Sequence, residues 1–502
     1  MGRNSSVGNT MESLATLFPC CLLLVLPYLA GMASASSSAI SGNLVFNMLK
    51  SRRASGTAGL WDAAGLVKSL KTNGDSGSAV GSKKGDLIGS LPGQPHGAAA
   101  VTQYGGYVDV GDGGKLFYYF AEATGAKATK SPLMLWINGG PGCSSVGAGA
   151  FLQHGPFFVN DDGKTLRSNP YAWTNVSSII YLDTPVNVGF SYSDNGNATT
   201  SYDDAKTAMG NLRFLLGWLE RFPEYKSRDL YLAGDGYAGI YAPQLADLIL
   251  EYNQQASGRD TTINLKKILL GNPTINAENE VRGIIDFQWN HGMVPTKTWK
   301  AIRRGCRGKM IRRKACFKQI RKLPYNDLGS GPVYPYDFTA KVCNPNLQPG
   351  HRIEDYYECD DKAVRDYLSQ SDVQRALHGN SPRLSNGWIQ CSDDVSTKYQ
   401  LSQTSVPIIR RLVSTGLSVL IYSGDADLVV PMIGGRYTTM QLNLNVTRPW
   451  GSWFYNKATV GGFIEMYANE TLVFATLRGA GHTVTKVYPE RTLRLVSLLF
   501  TV

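Results

Sequence analysis

The chain has 502 residues, 43% of them hydrophobic and 10% aromatic, which is ample for a large packed core and excludes a disordered protein. Charged residues make up 18%, below the usual roughly 25%, and together with 54 Gly and 26 Tyr they suit a loop-rich extracellular enzyme. The formal charge is +11, much of it within Arg303–Lys322. That run reads as a solvated basic loop; no nucleic acid is expected, and an acidic partner or cell-wall polyanion stays open.

The N-terminus reads as an export signal. An apolar stretch from Leu14 to Ala30 precedes Ala33-Ser34-Ala35, a small-residue cleavage site, which sets residues 1–35 apart as a signal peptide. Arg3 is the only basic residue ahead of the stretch, and Pro19 and Pro27 interrupt it, which argues against an uncleaved anchor. No later segment holds 18 continuous apolar residues, so no stable membrane insertion is expected. The expected destination is the cell exterior or a vacuole. Residues 36–85 are rich in Gly, Ser, Ala and Lys and read as a propeptide or flexible tail outside the core.

Six cysteines remain after the signal: Cys143, Cys306, Cys316, Cys343, Cys359 and Cys391. An even set in an exported chain implies disulfides. No Cys-x-x-Cys occurs and the His are scattered, so no metal is expected, and no cofactor. Downstream of the signal four glycosylation sequons lie at Asn175, Asn197, Asn445 and Asn469.

From Asp86 to the end the pattern is that of one globular domain. Expected strands are Leu133–Ile137, Ser178–Leu182, Asp229–Ala233, Lys267–Leu270, Ser418–Tyr422 and Leu472–Leu477. Helical patterns at Asp203–Arg221, Ala238–Tyr252 and Val487–Phe500 alternate with them. This alternation implies an α/β fold, a mostly parallel central sheet with helices on both faces. The interval 280–390 breaks the rhythm and reads as an inserted cap.

Strand Asp229–Ala233 runs into Gly234-Asp235-Gly236-Tyr237-Ala238-Gly239 and then a helix. This is the context of a nucleophile elbow and points to the α/β-hydrolase fold. The central side chain of such an elbow projects above the sheet; here it is Gly236, which has nothing to attack with. An acidic turn, Ser423-Gly424-Asp425-Ala426-Asp427, follows one late strand, and Gly479-Ala480-Gly481-His482 follows the next. The order nucleophile, acid, His is the hydrolase order, in which the acid orients an imidazole that takes the nucleophile's proton. The glycine turn Asn138–Ser145 after Leu133–Ile137 can aim backbone N–H groups at an oxyanion.

Together these motifs resemble the serine carboxypeptidases and their acyltransferase relatives. The resemblance is carried by WINGGPGCSS (Trp136–Ser145), LPGQP (Leu91–Pro95), TPVNVGFSYS (Thr184–Ser193), GDGYAG (Gly234–Gly239), SGDADLVVP (Ser423–Pro431) and RGAGHTV (Arg478–Val484), in order from about 86 to the end. RGIIDFQWNHGMV (Arg282–Val294) looks most like the plant carboxypeptidase branch. The resemblance implies removal of C-terminal residues from peptides by a Ser-Asp-His triad. It puts Gly236 at the nucleophile position, Asp427 as the triad acid and His482 as the base. It gives the oxyanion hole to the N–H groups of Gly140 and Tyr237. It assigns Trp136, Asn138, Gln153 and Asp235 to the site for the substrate carboxylate, with Gln153 and Asp235 standing where the family has two Glu. It implies the disulfides Cys143–Cys391, Cys306–Cys316 and Cys343–Cys359. Peptide or protein C-termini are the implied partners, and a homodimer stays open.

Gly236 makes a catalytically impaired or inactive protein the leading expectation. The alternatives are an active carboxypeptidase whose sequence carries a serine-to-glycine change, and an acyltransferase of the same family, which would also need the serine.

Overall fold

A computed structural model describes residues 61–72, 81–95, 101–125, 128–195, 201–256, 262–306, 333–340 and 357–500, apart from 380, 383, 385 and 386. Their frame is a 12-stranded mixed sheet. In chain order its strands are β1 (Leu87–Ile88), β2 (Gln103–Asp109), β3 (Gly114–Ala121), β4 (Leu133–Ile137), β5 (Ser178–Leu182), β6 (Tyr192–Ser193), β7 (Leu230–Asp235), β8 (Leu265–Gly271), β9 (Ser418–Gly424), β10 (Val446–Phe454), β11 (Val460–Tyr467) and β12 (Leu472–Leu477). They lie in the order β1-β2-β3-β5-β4-β7-β8-β9-β12-β11-β10, with β6 paired to β3 off this path. The six central strands, from β5 to β12, run parallel. The flanking pairs are antiparallel.

The central strands are apolar on both faces because both faces are covered. Side chains alternate between faces, so each strand feeds two cores. Leu133, Leu135 and Ile137 of β4 join one core, and Met134 and Trp136 join the other. Ile180 and Leu182 of β5 divide from Ile179 and Tyr181 in the same way.

The helices that matter below are α1 (Ala63–Thr72), α2 (Asp204–Arg221), α3 (Ala238–Gln255), α4 (Ala277–Asn290), α5 (Thr296–Gly305), α6 (Val406–Ser414), α7 (Met432–Leu442) and α8 (Pro489–Phe500). Asp203 caps α2 by accepting from Lys206 N, and Asn276 caps α4 by accepting from the N–H groups of Glu278 and Asn279. The expected helix Val487–Phe500 is two pieces, Val484–Val487 and α8. Pro489 separates them, since proline lacks an N–H and disfavours helical backbone in the residue before it.

One expectation about the core needs correcting. Part of the stretch 36–85, read as lying outside the core, packs onto it as α1. Ala63, Val67 and Leu70 are buried against the core, and Trp61 Nε1 donates to Asp247 Oδ2 of α3 at 2.8 Å. The flanking Gly- and Ser-rich composition hides a short amphipathic turn pattern. Of the interval expected as a cap, the described elements are α4, α5, the turn-rich residues 333–340 and the helices Tyr357–Leu368 and Ser371–Ala376.

Candidate active site

β7 leads straight into the elbow and α3. Gly236 sits at φ +57, in the left-handed region that favours glycine. Its N–H donates to Gly271 O at 3.1 Å and its carbonyl accepts from Thr274 N at 2.8 Å, so the end of β8 pins the turn. A Cβ built on Gly236 would lie 3.4 Å from His482 Nε2 and 3.7 Å from Cε1, and, its chain neighbours aside, would meet nothing else within 4 Å.

His482 comes to this point from the turn after β12. Its Nδ1 lies 2.7 Å from Asp427 Oδ2. Asp427 is fully buried and also accepts from Asn272 Nδ2 at 2.8 Å and from Val429 N at 2.7 Å. Of the two acids in the turn after β9, Asp427 is therefore the one on the imidazole; Asp425 accepts from Gly479 N at 2.6 Å. Burial pulls the His482 ring downward, but the charge and hydrogen bond of Asp427, and the charge of Asp235, hold it above the ordinary imidazole range. Residues 333–340 brace the pair: His482 N donates to Tyr336 O at 2.6 Å, and Phe338 N donates to Ala426 O at 3.0 Å.

The glycine loop after β4 packs directly on the elbow. A Cβ on Gly139 would fall 2.2 Å from Tyr237 N and 2.6 Å from Asp235 O, so only glycine permits this approach. Gly140 follows at φ +115. Among the described residues, no hydrogen bond uses the N–H of Gly140 or of Tyr237. The Cys143–Cys391 disulfide closes the loop's far end, where Ser144 N donates to Gln390 O at 2.8 Å. Buried Asp183 then collects Ser144 Oγ at 2.6 Å, Val146 N at 3.1 Å and Phe190 N at 3.0 Å. Burial pushes its carboxyl up to about 6 despite these donors.

Beside the elbow lies a buried polar chain. Trp136 Nε1 donates to Asn138 Oδ1 at 2.6 Å, and Asn138 Nδ2 donates to Asp235 Oδ1 at 2.8 Å. Gln153 Nε2 donates to Asp235 Oδ2 at 2.7 Å, and Thr485 Oγ1 donates to Gln153 Oε1 at 3.1 Å. Burial raises the Asp235 carboxyl, partly offset by the charge of His482 and the Gln153 bond. Sequence reading grouped the first four of these residues. It missed Thr485, Asn272, Asp183 and Tyr336. Two of them adjoin quoted motifs: Asp183 directly precedes Thr184–Ser193, and Thr485 directly follows Arg478–Val484.

The Cys143–Cys391 pairing matches expectation. Cys306 is disulfide-bonded, but Cys316, Cys343 and the Cys359 side chain lie outside the described residues, so both remaining pairings do too. Asn175, Asn445 and Asn469 are exposed, and Asn197 lies outside the described residues. Among the described residues no group of three or more His, Cys, Asp or Glu could hold a metal ion, and no helix is long and apolar enough to cross a membrane.

A solved structure, KEX1(delta)p, a prohormone-processing carboxypeptidase from Saccharomyces cerevisiae, superposes with a TM-score of 0.70 over 84% of this chain and 97% of that one. At 21% identity this likeness concerns the α/β-hydrolase fold alone. Curated relatives are nearer. Serine carboxypeptidase-like 40 of Arabidopsis thaliana is 39% identical over 86% of this chain and 85% of its own length. Serine carboxypeptidase-like 44 of the same plant is 40% identical over 82% and 88%. Serine carboxypeptidase 24, also of that plant, is 36% identical over 86% and 95%. The model of the serine carboxypeptidase family matches residues 92–501. With the elbow, the Asp427–His482 pair and the Asn138–Ser145 loop gathered at one end of the sheet, the chain belongs to the serine carboxypeptidase family.

Proposed function

We propose that this is a serine carboxypeptidase-like protein of the secretory route whose cleft receives peptide or protein C-termini and whose covalent chemistry is impaired at position 236. In this reading Gly236 holds the nucleophile's place, His482 is the base and Asp427 its orienting acid. Gly140 and Tyr237 supply the oxyanion hole. Trp136, Asn138, Gln153 and Asp235 form the recess for the ligand's terminal group.

The observation that carries the reading is the open space above Gly236. It faces His482 Nε2 at 3.4 Å from the ideal Cβ, with Asp427 behind the ring. A serine there would bring its hydroxyl to the imidazole. Losing such a nucleophile costs about 10⁶ in kcat in a comparable triad enzyme, roughly 8 kcal/mol of barrier. Export is supported by the N-terminal apolar stretch, the Cys143–Cys391 bond and the exposed sequons.

The test is release of the C-terminal residue from blocked dipeptides at acidic pH. The natural chain should release almost none, and Gly236→Ser should release it readily. Robust turnover by the natural chain would overturn the reading. Because the acid–base pair is intact around a vacant position, a second reading is a carboxypeptidase altered by one serine-to-glycine change. It predicts that Gly236→Ser recovers full family-like peptidase activity, and a weak recovery would count against it.

A further inference from the structure

Glycine at 236 removes two atoms that matter to water, the Cβ and the hydroxyl oxygen. An ideal Cβ there would be 3.4 Å from His482 Nε2 and, apart from its chain neighbours, close to nothing but that ring. A water hydrogen-bonded to Nε2 sits about 2.8 Å from it, within the volume the serine side chain would fill. The Nδ1 contact at 2.7 Å from Asp427 Oδ2 sets the tautomer, since the carboxylate can only accept. In the neutral ring the proton is therefore on Nδ1, and Nε2 is left as an acceptor facing the vacancy.

We propose that a water held by His482 replaces the missing hydroxyl and that the site hydrolyses esters with good leaving groups, such as aryl esters, without an acyl-enzyme. This rests on the reading that Gly236 holds the nucleophile's position. The water oxygen attacks the ester carbonyl carbon and its proton passes to His482 Nε2. The former carbonyl oxygen takes the negative charge and meets the N–H groups of Gly140 and Tyr237, which no other described group engages. On collapse the bond to the aryl oxygen breaks, and that oxygen leaves with the proton returned from Nε2. The products are the carboxylic acid and the phenol, and no oxidant, reductant or metal enters. Peptides are poor substrates for this route, because an amine leaves far less readily and water is held less firmly than a tethered serine.

Where a triad protease loses its serine, its histidine as a rule adds nothing to the residual rate. A His482-dependent rate would therefore be specific to a position with room for water. Shrinking that room is the decisive experiment. The full chain is assayed with p-nitrophenyl acetate at neutral pH. The natural chain should exceed the protein-free rate by about 10⁴, of which an oxyanion hole and binding alone, without His482, would leave about 10³. His482→Ala and, separately, Gly236→Ala should each lower the rate at least tenfold with melting curves that still show a folded protein. Gly236→Ala acts by placing a methyl where the water sits. The natural chain should show no burst and no labelling by a fluorophosphonate, whereas Gly236→Ser should show both.

A rate unchanged by His482→Ala or by Gly236→Ala would overturn the proposal, as would a burst or label on the natural chain. Should Gly236→Ala fail to fold, His482→Gln supplies the second variant. Titration of the natural chain with a blocked dipeptide, followed by intrinsic fluorescence, separates the two readings. Binding without ester hydrolysis overturns the water mechanism alone. Hydrolysis without peptide binding overturns the C-terminus reading alone.

Discussion

At Gly236 a serine would act in two opposite directions. The backbone stands at φ +57, where a residue with a Cβ is strained by about 1 kcal/mol or more. Gly236→Ser should therefore melt a few degrees lower than the natural chain while gaining several powers of ten in kcat/KM on blocked dipeptides; a gain in both would show that the elbow is not strained. Gln153 gives a second residue-scale prediction. Its amide donates to Asp235 at any pH, so the pair needs no shared proton. In Gln153→Glu two carboxyls would face each other, and one must hold a proton. That variant should melt near the natural chain at pH 4 and well below it at pH 7, as read by calorimetry at both. Equal melting at both values would mean that residue 153 and Asp235 separate when charged. Gly236, Asp427 and His482 were legible in the sequence because each ends a strand in a short turn with a fixed order. Asp183, Asn272 and Thr485 were not, because a buried polar side chain finds its partners through the fold and leaves no local pattern.

The same division holds among the elements. Strands β4, β5 and β12 stand at the expected boundaries, since each is a mostly apolar run buried on both faces. The antiparallel flanks were not read. β2 carries two adjacent glycines, and β10 is an exposed edge whose residues, Trp453 aside, are not buried. Helix α1 was hidden by its neighbours' composition, although Ala63, Val67 and Leu70 fall at helical spacing. It is anchored by Trp61 on Asp247, an acid that also meets Arg411 of α6. Leu70 is 3% exposed, so Leu70→Ala should cost about 2–5 kcal/mol if α1 belongs to the same cooperative unit as the sheet. A chain starting at residue 73 should then melt below one starting at 61. Identical melting curves would show that α1 detaches without affecting the core.

Across the whole molecule, charge is unevenly placed. Ten of the 50 Lys and Arg lie within residues 303–322, where no Asp or Glu occurs. A cleft of about 920 Å³ adjoins that run and is lined by Arg282, Trp299, Arg303 and Tyr437, away from the Asp427–His482 pair. Buried ionisable groups set a different global property, the dependence of stability on pH. Burial raises Asp183 and Asp204 to about 6 from 3.8, so their contribution is present at low pH and lost as pH rises between those values. Burial lowers His154, stacked on Trp173, to about 3 from 6.5, which has the opposite sign: stability is regained as pH rises over that span. The two trends oppose each other below pH 6.5, and the raised Asp235 carboxyl adds to the first. Above it two buried groups near the site act in one direction. His482 is raised, so its contribution fades as pH passes its folded value. Glu280 is buried, and burial, with the nearby Asp427 charge, raises it well above the ordinary range although the backbone N–H groups of Ile275 and Asn276 pull it the other way. Its protonated form is favoured by the fold and disfavoured by the solvent as pH climbs. The melting temperature should accordingly fall from pH 6.5 to pH 8.5. Glu280→Gln, which cannot ionise, should remove much of that fall, and a natural chain that melts higher at pH 8.5 than at pH 6 would contradict a neutral Glu280 in the core.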